Sequence, residues 1–132
     1  MLPSYDILLE NFALLSDWED RYSYLLDLAK KMQPLPDAEK VEAHKVHGCT
    51  AQVWLVPREA PEGRVAFEAD SDAQLVRGLI AVLAAVYNGQ TGTHVRSFDI
   101  EKYFESLGLS EHLTPNRRNG FFAIVERIKK LA

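Results

Sequence analysis

Residues 65–86 read V-A-F-E-A-D-S-D-A-Q-L-V-R-G-L-I-A-V-L-A-A-V, and this stretch decides the fold class. From Val65 to Ala69 every second residue is apolar, which is the period of a half-buried β-strand. Further along, apolar residues occur around most of the helical wheel until Asn88 and the glycine after it, as in a buried helix. Ser71 and Gln74 have the spacing of a capping box. The stretch therefore predicts a strand that leads directly into a central helix.

A second strand is predicted immediately before this stretch. Residues 53–56 are rich in Val, Trp and Leu, and the turn-forming residues Pro61-Glu62-Gly63 separate them from the strand that follows. Two strands joined by a short turn pair in the antiparallel direction. A third strand is expected to enter through Lys45–Gly48.

Helices are predicted on both sides of these strands. Ser16 and Glu19 have the spacing of a capping box and start the second of two N-terminal helices. Short helical pieces are expected near Thr91–Val95 and Ile100–Ser106, and Thr114, with a proline after it, starts a last helix. Helices, then strands, then helices, without βαβ alternation, predict the α+β class: a small antiparallel β-sheet of about three strands packed against helices.

Length and composition point to one globular domain over residues 1–132. Of the 132 residues, 47% are hydrophobic, which is enough for a sizeable core. The net charge of −4 lacks the basic field of a nucleic-acid binder, so we expect no nucleic acid among the partners. No apolar run approaches the length of a membrane span, and the N-terminus lacks the pattern of a signal peptide. We therefore expect no membrane partner and a cytoplasmic location.

Cys49 is the one cysteine of the chain, which excludes an intrachain disulfide and any site that needs several thiolates from one chain. Gly48 precedes it and gives the loop conformational freedom. His47 and two other basic residues upstream can favour the reactive thiolate. A lone cysteine is also commonly a small buried hydrophobic residue. A cysteine hydrolase or a metal site that combines Cys49 with histidines lacks a recognisable local signature or ligand spacing.

Three separate motifs resemble those of the SufE family of sulfur acceptors. Residues 48–54, G-C-T-A-Q-V-W, are similar to the family signature G-C-x-S-Q-V-W. Residues 70–81, D-S-D-A-Q-L-V-R-G-L-I-A, resemble its D-S-D-A-x-I-V-x-G-L-I-A segment, and residues 107–117 resemble its L-x-L-x-x-H-L-T-P-x-R segment. One departure is Ala51, which stands where the family commonly has serine. The resemblance covers essentially the whole chain.

The resemblance implies a fold like that of SufE and the related iron–sulfur scaffold proteins. It also implies that Cys49 accepts sulfane sulfur, as a persulfide, from a cysteine desulfurase of the SufS or CsdA type and relays it toward iron–sulfur cluster assembly. The pyridoxal phosphate (PLP) of that reaction belongs to the desulfurase, so this chain needs no cofactor or metal of its own. An iron–sulfur scaffold protein is then a possible acceptor of the sulfur.

The supporting residues predicted around Cys49 are His47, Gly48, Gln52, Asp72 and Arg117. By position, Arg117 matches the family arginine after the T-P pair, and its guanidinium can stabilise a thiolate or persulfide anion. Asp72 stands at the start of the central helix, where it can interact favourably with the helix dipole. Gln52 either directs its amide toward the loop or belongs to the polar face of a strand.

Two alternatives to a sulfur carrier stay open. The first is a binding partner that stimulates a desulfurase allosterically without being persulfidated, and the second, more distant, is an iron–sulfur scaffold. For the carrier, we expect the thiol to be sheltered by apolar neighbours, namely Val46, Val53, Trp54 and the helix that begins near Asp72. Burial would favour the less reactive neutral thiol until a partner turned the loop outward.

Overall fold

The computed structural model describes residues 2–132, which form six helices and a two-stranded antiparallel sheet. Two single-turn 3₁₀ helices, Asp37–Glu39 and Glu42–His44, lie between the N-terminal helices and the sheet. The elements follow the predicted order of helices, then strands, then helices. They are α1 (Tyr5–Ala13), α2 (Trp18–Lys31), β1 (Val53–Pro57), β2 (Phe67–Ser71), α3 (Gln74–Tyr87), α4 (Gly92–Ser97), α5 (Ile100–Ser106) and α6 (Pro115–Lys129).

The two strands pair with Val53 opposite Ser71 and Pro57 opposite Phe67. The predicted third strand is present only as an isolated bridge, in which Lys45 lies opposite Trp54. Pairing stops there because Gly48 adopts a positive φ of 97°, which turns the chain away from β1. The α+β class with a small antiparallel sheet is confirmed, and the strand count of about three becomes two strands and one bridge.

Helix α3 lies at the centre of the molecule and is buried along most of its length. Its closest neighbour is α2: a Cβ at Gly78 would collide with the backbone carbonyl of Leu25, so only glycine permits this approach. The helix ends at Tyr87, and Gly89 continues the chain with a positive φ of 78°, as the Asn-Gly pair predicts. Helices α1, α2 and α6 also contact α3, and all six helices contribute buried residues to one hydrophobic core.

Two of the three predicted caps are wrong. Helix α2 is capped by Asp17, whose side chain accepts from the N–H of Asp20 at 2.9 Å, so Ser16 lies one residue outside the cap. Ser71 belongs to β2, and its hydroxyl donates to the carbonyl of Gln52, so α3 starts without a side-chain cap. The third is confirmed: Thr114 caps α6, with a proline in the first turn.

Within residues 2–132, none of the helices combines the length and the apolarity that a membrane span requires.

Candidate functional site

The loop that carries Cys49 lies across α6. The Cys49 thiol donates a hydrogen bond to the carbonyl of Gly120 at 3.5 Å. A Cβ placed on Gly120 would lie 3.4 Å from the sulfur, and one placed on Gly48 would lie 3.3 Å from the Cβ of Ala123. Gly48 is required by its positive φ and its close approach to α6, and Gly120 leaves the sulfur the space that a Cβ would otherwise contact.

Cys49 borders a small cavity of about 10 Å³ between its loop, α3 and α6. This is space for about one water molecule. The cavity is mostly apolar, and the burial of Cys49 raises the pKa of its thiol. The folded chain thus stores Cys49 in the neutral form. The side chains of α3 and α6 that enclose it are Val76, Leu79, Phe121 and Ile124.

The tip of the Cys49 loop, residues 47–51, is held by few backbone contacts. Within residues 2–132, no N–H or C=O group of the tip makes a hydrogen bond of good geometry. The thiol bond to Gly120 is the hydrogen bond that ties the tip to the rest of the chain. Just before the tip, the N–H of Val46 donates to the carbonyl of Val53 at 2.8 Å. Just after the tip, the N–H of Gln52 donates to the Asp72 carboxylate. The tip is therefore a short segment with few hydrogen bonds, and the chain is hydrogen-bonded to the rest of the fold on both sides of it.

The downstream end of the tip is fixed by the residues that follow β2. The Asp72 carboxylate accepts from the N–H of Gln52 at 3.0 Å, and the Ser71 hydroxyl donates to the Gln52 carbonyl at 2.7 Å. The N–H of Asp72 also donates to that carbonyl, at 3.2 Å. Asp72 thus contacts the loop backbone directly, in addition to lying near the start of α3.

Asp70, two residues before Asp72, is a buried carboxylate with its side chain 3% exposed. Its Oδ1 lies 3.0 Å from Nε of Arg77, and its Oδ2 lies 3.6 Å from the ammonium of Lys40. It also accepts from the N–H groups of Leu35 and Ser71, at 3.0 and 2.8 Å. Two cations and two N–H donors therefore compensate the burial of this charge.

Arg117 borders the same cavity as Cys49, which is where the sequence placed it. The Nη1 atom of its guanidinium is shielded from solvent and has no hydrogen-bond partner within residues 2–132. A buried donor without a partner is costly, so this nitrogen has an unused capacity to donate a hydrogen bond. The structure thus brings Arg117 and Cys49 together.

Two of the predicted supporting side chains lie away from the thiol. His47 is 73% exposed and has the Glu42 carboxylate 3.5 Å from its ring as partner. The Gln52 side chain is exposed and makes no hydrogen bond within residues 2–132, although its backbone anchors the loop. Gly48 has the backbone role that the sequence indicates, with its positive φ at the bend.

The expected shelter of Cys49 is partly wrong in its residues. Val46 and Val53 are buried in the core but do not border the cavity, and Trp54 lies beneath the ammonium of Lys40, 5.7 Å from the ring centre. The helix expected near Asp72, α3, does border the cavity. The other wall comes from α6, and the sequence analysis did not predict that helix as part of the shelter. One signal was available: Gly120 is the single glycine inside α6, an unfavourable residue in a helix unless something packs closely against it.

Within residues 2–132, no group of three or more His, Cys, Asp or Glu side chains is arranged to hold a metal ion.

Comparisons with known proteins identify the family and the fold of this chain. The family model SufE, described as an Fe-S metabolism associated domain, matches residues 6–132. An uncharacterized SufE-like protein of Rhizobium meliloti (strain 1021) is 37% identical over 134 residues, which cover 99% of this chain and 96% of that protein. The solution structure of a hypothetical protein from Thermus thermophilus matches with a TM-score of 0.75 at 26% identity, covering 99% of this chain and 94% of the other. The chain belongs to the SufE family, whose domain is associated with iron–sulfur metabolism.

Proposed function

We propose that this protein accepts sulfane sulfur on Cys49 from a PLP-dependent cysteine desulfurase of the SufS or CsdA type and relays it toward iron–sulfur cluster assembly. The observation that carries the proposal is the position of the one cysteine: it lies on a loop tip with few hydrogen bonds and borders a small cavity that Arg117 also borders. This arrangement stores one thiol and offers an anion a partner.

The transfer step is a thiol exchange on the desulfurase's persulfide. The Cys49 thiolate attacks the outer sulfur of that persulfide, a new S–S bond forms on Cys49, and the bond to the desulfurase cysteine breaks. The leaving group is the desulfurase thiolate, which takes up the proton that Cys49 has lost. No oxidant is needed, and no second cysteine of this chain is available to release the sulfur as a disulfide.

The cavity can hold Cys49 both as a thiol, before sulfur transfer, and as a persulfide, after it, through different hydrogen bonds. The neutral thiol donates to the carbonyl of Gly120, and burial keeps it protonated. A thiolate or persulfide anion has no proton to donate, so this bond is lost on deprotonation or loading. The unpartnered Nη1 of Arg117 then becomes the natural donor to the anion.

Transfer requires the loop tip to leave the cavity. With few hydrogen bonds to break, residues 47–51 can move while Val46 and Gln52 stay fixed. The desulfurase must bind the outward form more tightly than the inward form for this to happen. The desulfurase supplies the PLP chemistry, and this chain supplies a protected acceptor, in the cytoplasm.

The proposal is tested by mixing the purified protein with a SufS-type desulfurase and cysteine and measuring its intact mass. The wild type is expected to gain the mass of one or more sulfur atoms, reversibly by reductant, and Cys49→Ser is expected to gain none. Ala51→Ser is the matched control, because it changes a residue of the same loop and cavity and keeps the thiol.

Sulfur on the wild type and on Cys49→Ser alike contradicts the carrier role. If neither protein gains sulfur but both stimulate the desulfurase equally, the allosteric partner replaces the carrier as the function.

A further inference from the structure

One stripe of α6 carries the whole Cys49 loop. Cys49 lies over Gly120, Gly48 lies over Ala123, and the chain just before the loop lies over Arg127. Positions 120, 123 and 127 are three and four residues apart, so their side chains share one face of the helix. The loop therefore runs along this face from Arg127 to Gly120.

Arg127 makes the polar contacts of this stripe at the start of the loop. Its Nη1 donates to the carbonyl of Lys45 at 3.1 Å, and its Nη2 donates to the carbonyl of Ala43 at 3.4 Å. The planar guanidinium suits two neighbouring acceptors, and a charged donor makes a stronger hydrogen bond than a neutral one. On the opposite side, Lys45 and Val46 are paired with β1. The segment before the tip is thus held between α6 and the sheet.

We propose that Arg127 is a positioning residue for sulfur transfer, which fixes the point where the Cys49 loop begins. With that point fixed on α6, Cys49 reaches Gly120 when the loop is inward and follows a defined path when it moves outward. Without it, only the pairing with β1 holds the start of the loop, and the side that faces α6 is no longer fixed, so the thiol is placed less precisely over Gly120. The transfer part of this inference rests on the proposed function, whereas the placement of the thiol does not.

The chain offers a matched control in Lys130. Lys130 and Arg127 border the same groove, of about 260 Å³, between the loop and α6. Lys130 is exposed and makes no hydrogen bond to the loop within residues 2–132. Lys130→Ala therefore removes a positive charge from the groove without removing a contact to Lys45 or Ala43.

The test measures the rate of Cys49 alkylation by iodoacetamide across pH in the full chain, with circular dichroism to verify folding. Arg127→Ala, which loses both charged hydrogen bonds to the loop, is expected to alkylate about tenfold faster than the wild type. The midpoint of its pH profile is expected to move down toward that of an ordinary thiol. Arg127→Lys keeps the charge on a single donor nitrogen instead of a planar pair, and its alkylation rate should lie between those of the wild type and Arg127→Ala. Lys130→Ala should match the wild type.

A second measurement follows sulfur transfer at increasing desulfurase concentration. For Arg127→Ala the maximal rate is expected to fall severalfold, because the thiol meets the persulfide in more orientations, while the half-saturating concentration changes little. A mere loss of stability would not produce this split. If Arg127→Ala does not fold, Arg127→Gln, which keeps one neutral donor, replaces it in both measurements.

The inference is overturned if Arg127→Ala has the alkylation rate and the transfer rate of the wild type. It is also overturned if Lys130→Ala changes both rates as much as Arg127→Ala does. The alkylation experiment uses this chain alone, so its failure counts against Arg127 only. Absence of sulfur on wild-type Cys49 counts against the proposed function only.

Discussion

The two segments that meet at the Cys49 site are held in opposite ways. The segment Asp70–Asp72 is fixed by a buried carboxylate, two cations and several backbone donors. Within residues 2–132, the loop tip, residues 47–51, has one hydrogen bond from its thiol and an exposed pairing of His47 with Glu42, and it otherwise rests on contact with α6. The comparison shows how one site combines a rigid frame with a part that can open: buried polar contacts are concentrated in Asp70–Asp72 and nearly absent from the loop tip.

The largest effect is expected from breaking the rigid segment. Asp70→Ala should lower the free energy of unfolding by about 3–5 kcal/mol, because it leaves the buried guanidinium of Arg77 without its carboxylate. Urea denaturation measures this loss.

Asp37→Ala is the control for this prediction. Asp37 pairs with the same Lys40 that faces Asp70, but its carboxylate is fully exposed, so stability should stay at the wild-type value. Equal losses for Asp70→Ala and Asp37→Ala would show that the buried network is not what makes this segment rigid.

A smaller effect is expected at the junction between the two segments. Asp72→Ala removes the acceptor for the N–H of Gln52, which should cost about 1 kcal/mol and speed Cys49 alkylation, because the downstream end of the tip is loosened. Gln52→Ala is the control, since its backbone bonds remain and its side chain makes none within residues 2–132. An alkylation rate that rises as much in Gln52→Ala as in Asp72→Ala would contradict this account.

The smallest expected effect is the pH dependence that Cys49 confers on stability. Burial raises the pKa of its thiol above the unfolded value, so the folded chain holds a proton that the unfolded chain has lost. The stability from this group is present below about pH 8.5, the ordinary thiol pKa, and is lost as pH rises through the raised value.

Urea denaturation of the wild type and Cys49→Ser at neutral and mildly alkaline pH isolates this contribution. The wild type should lose more stability than the serine variant as the pH rises. Tyr87, whose pKa burial raises to about 12, titrates alike in both proteins and cancels. Parallel curves for the two proteins would mean that the thiol is no more buried than in the unfolded chain.

Local patterns in the sequence determined the order of elements and singled out the cysteine on which the proposed function rests. The alternation in residues 65–69 and the apolar wheel of α3 each depend on neighbours within a few residues, so they predicted β2 and the central helix. Cys49 is the one cysteine of the chain, and no packing detail was needed to single it out. Arg117 was placed at the site through its motif, and the structure puts it beside the cavity.

Only the tertiary structure decided what holds the thiol. Gly120 and Arg127 are separated from the loop by more than seventy residues along the chain, so no local periodicity connects them to Cys49. The third strand shrank to one bridge because the turn at Gly48 overrides local strand preference. Asp70 reads as the polar position of a strand, yet it is buried, because Arg77 and Lys40 approach it from other elements. The sequence determines the secondary-structure propensity and the chemical groups of each residue. Which residues are buried, and which side chains they contact, is decided when segments distant in the chain pack together.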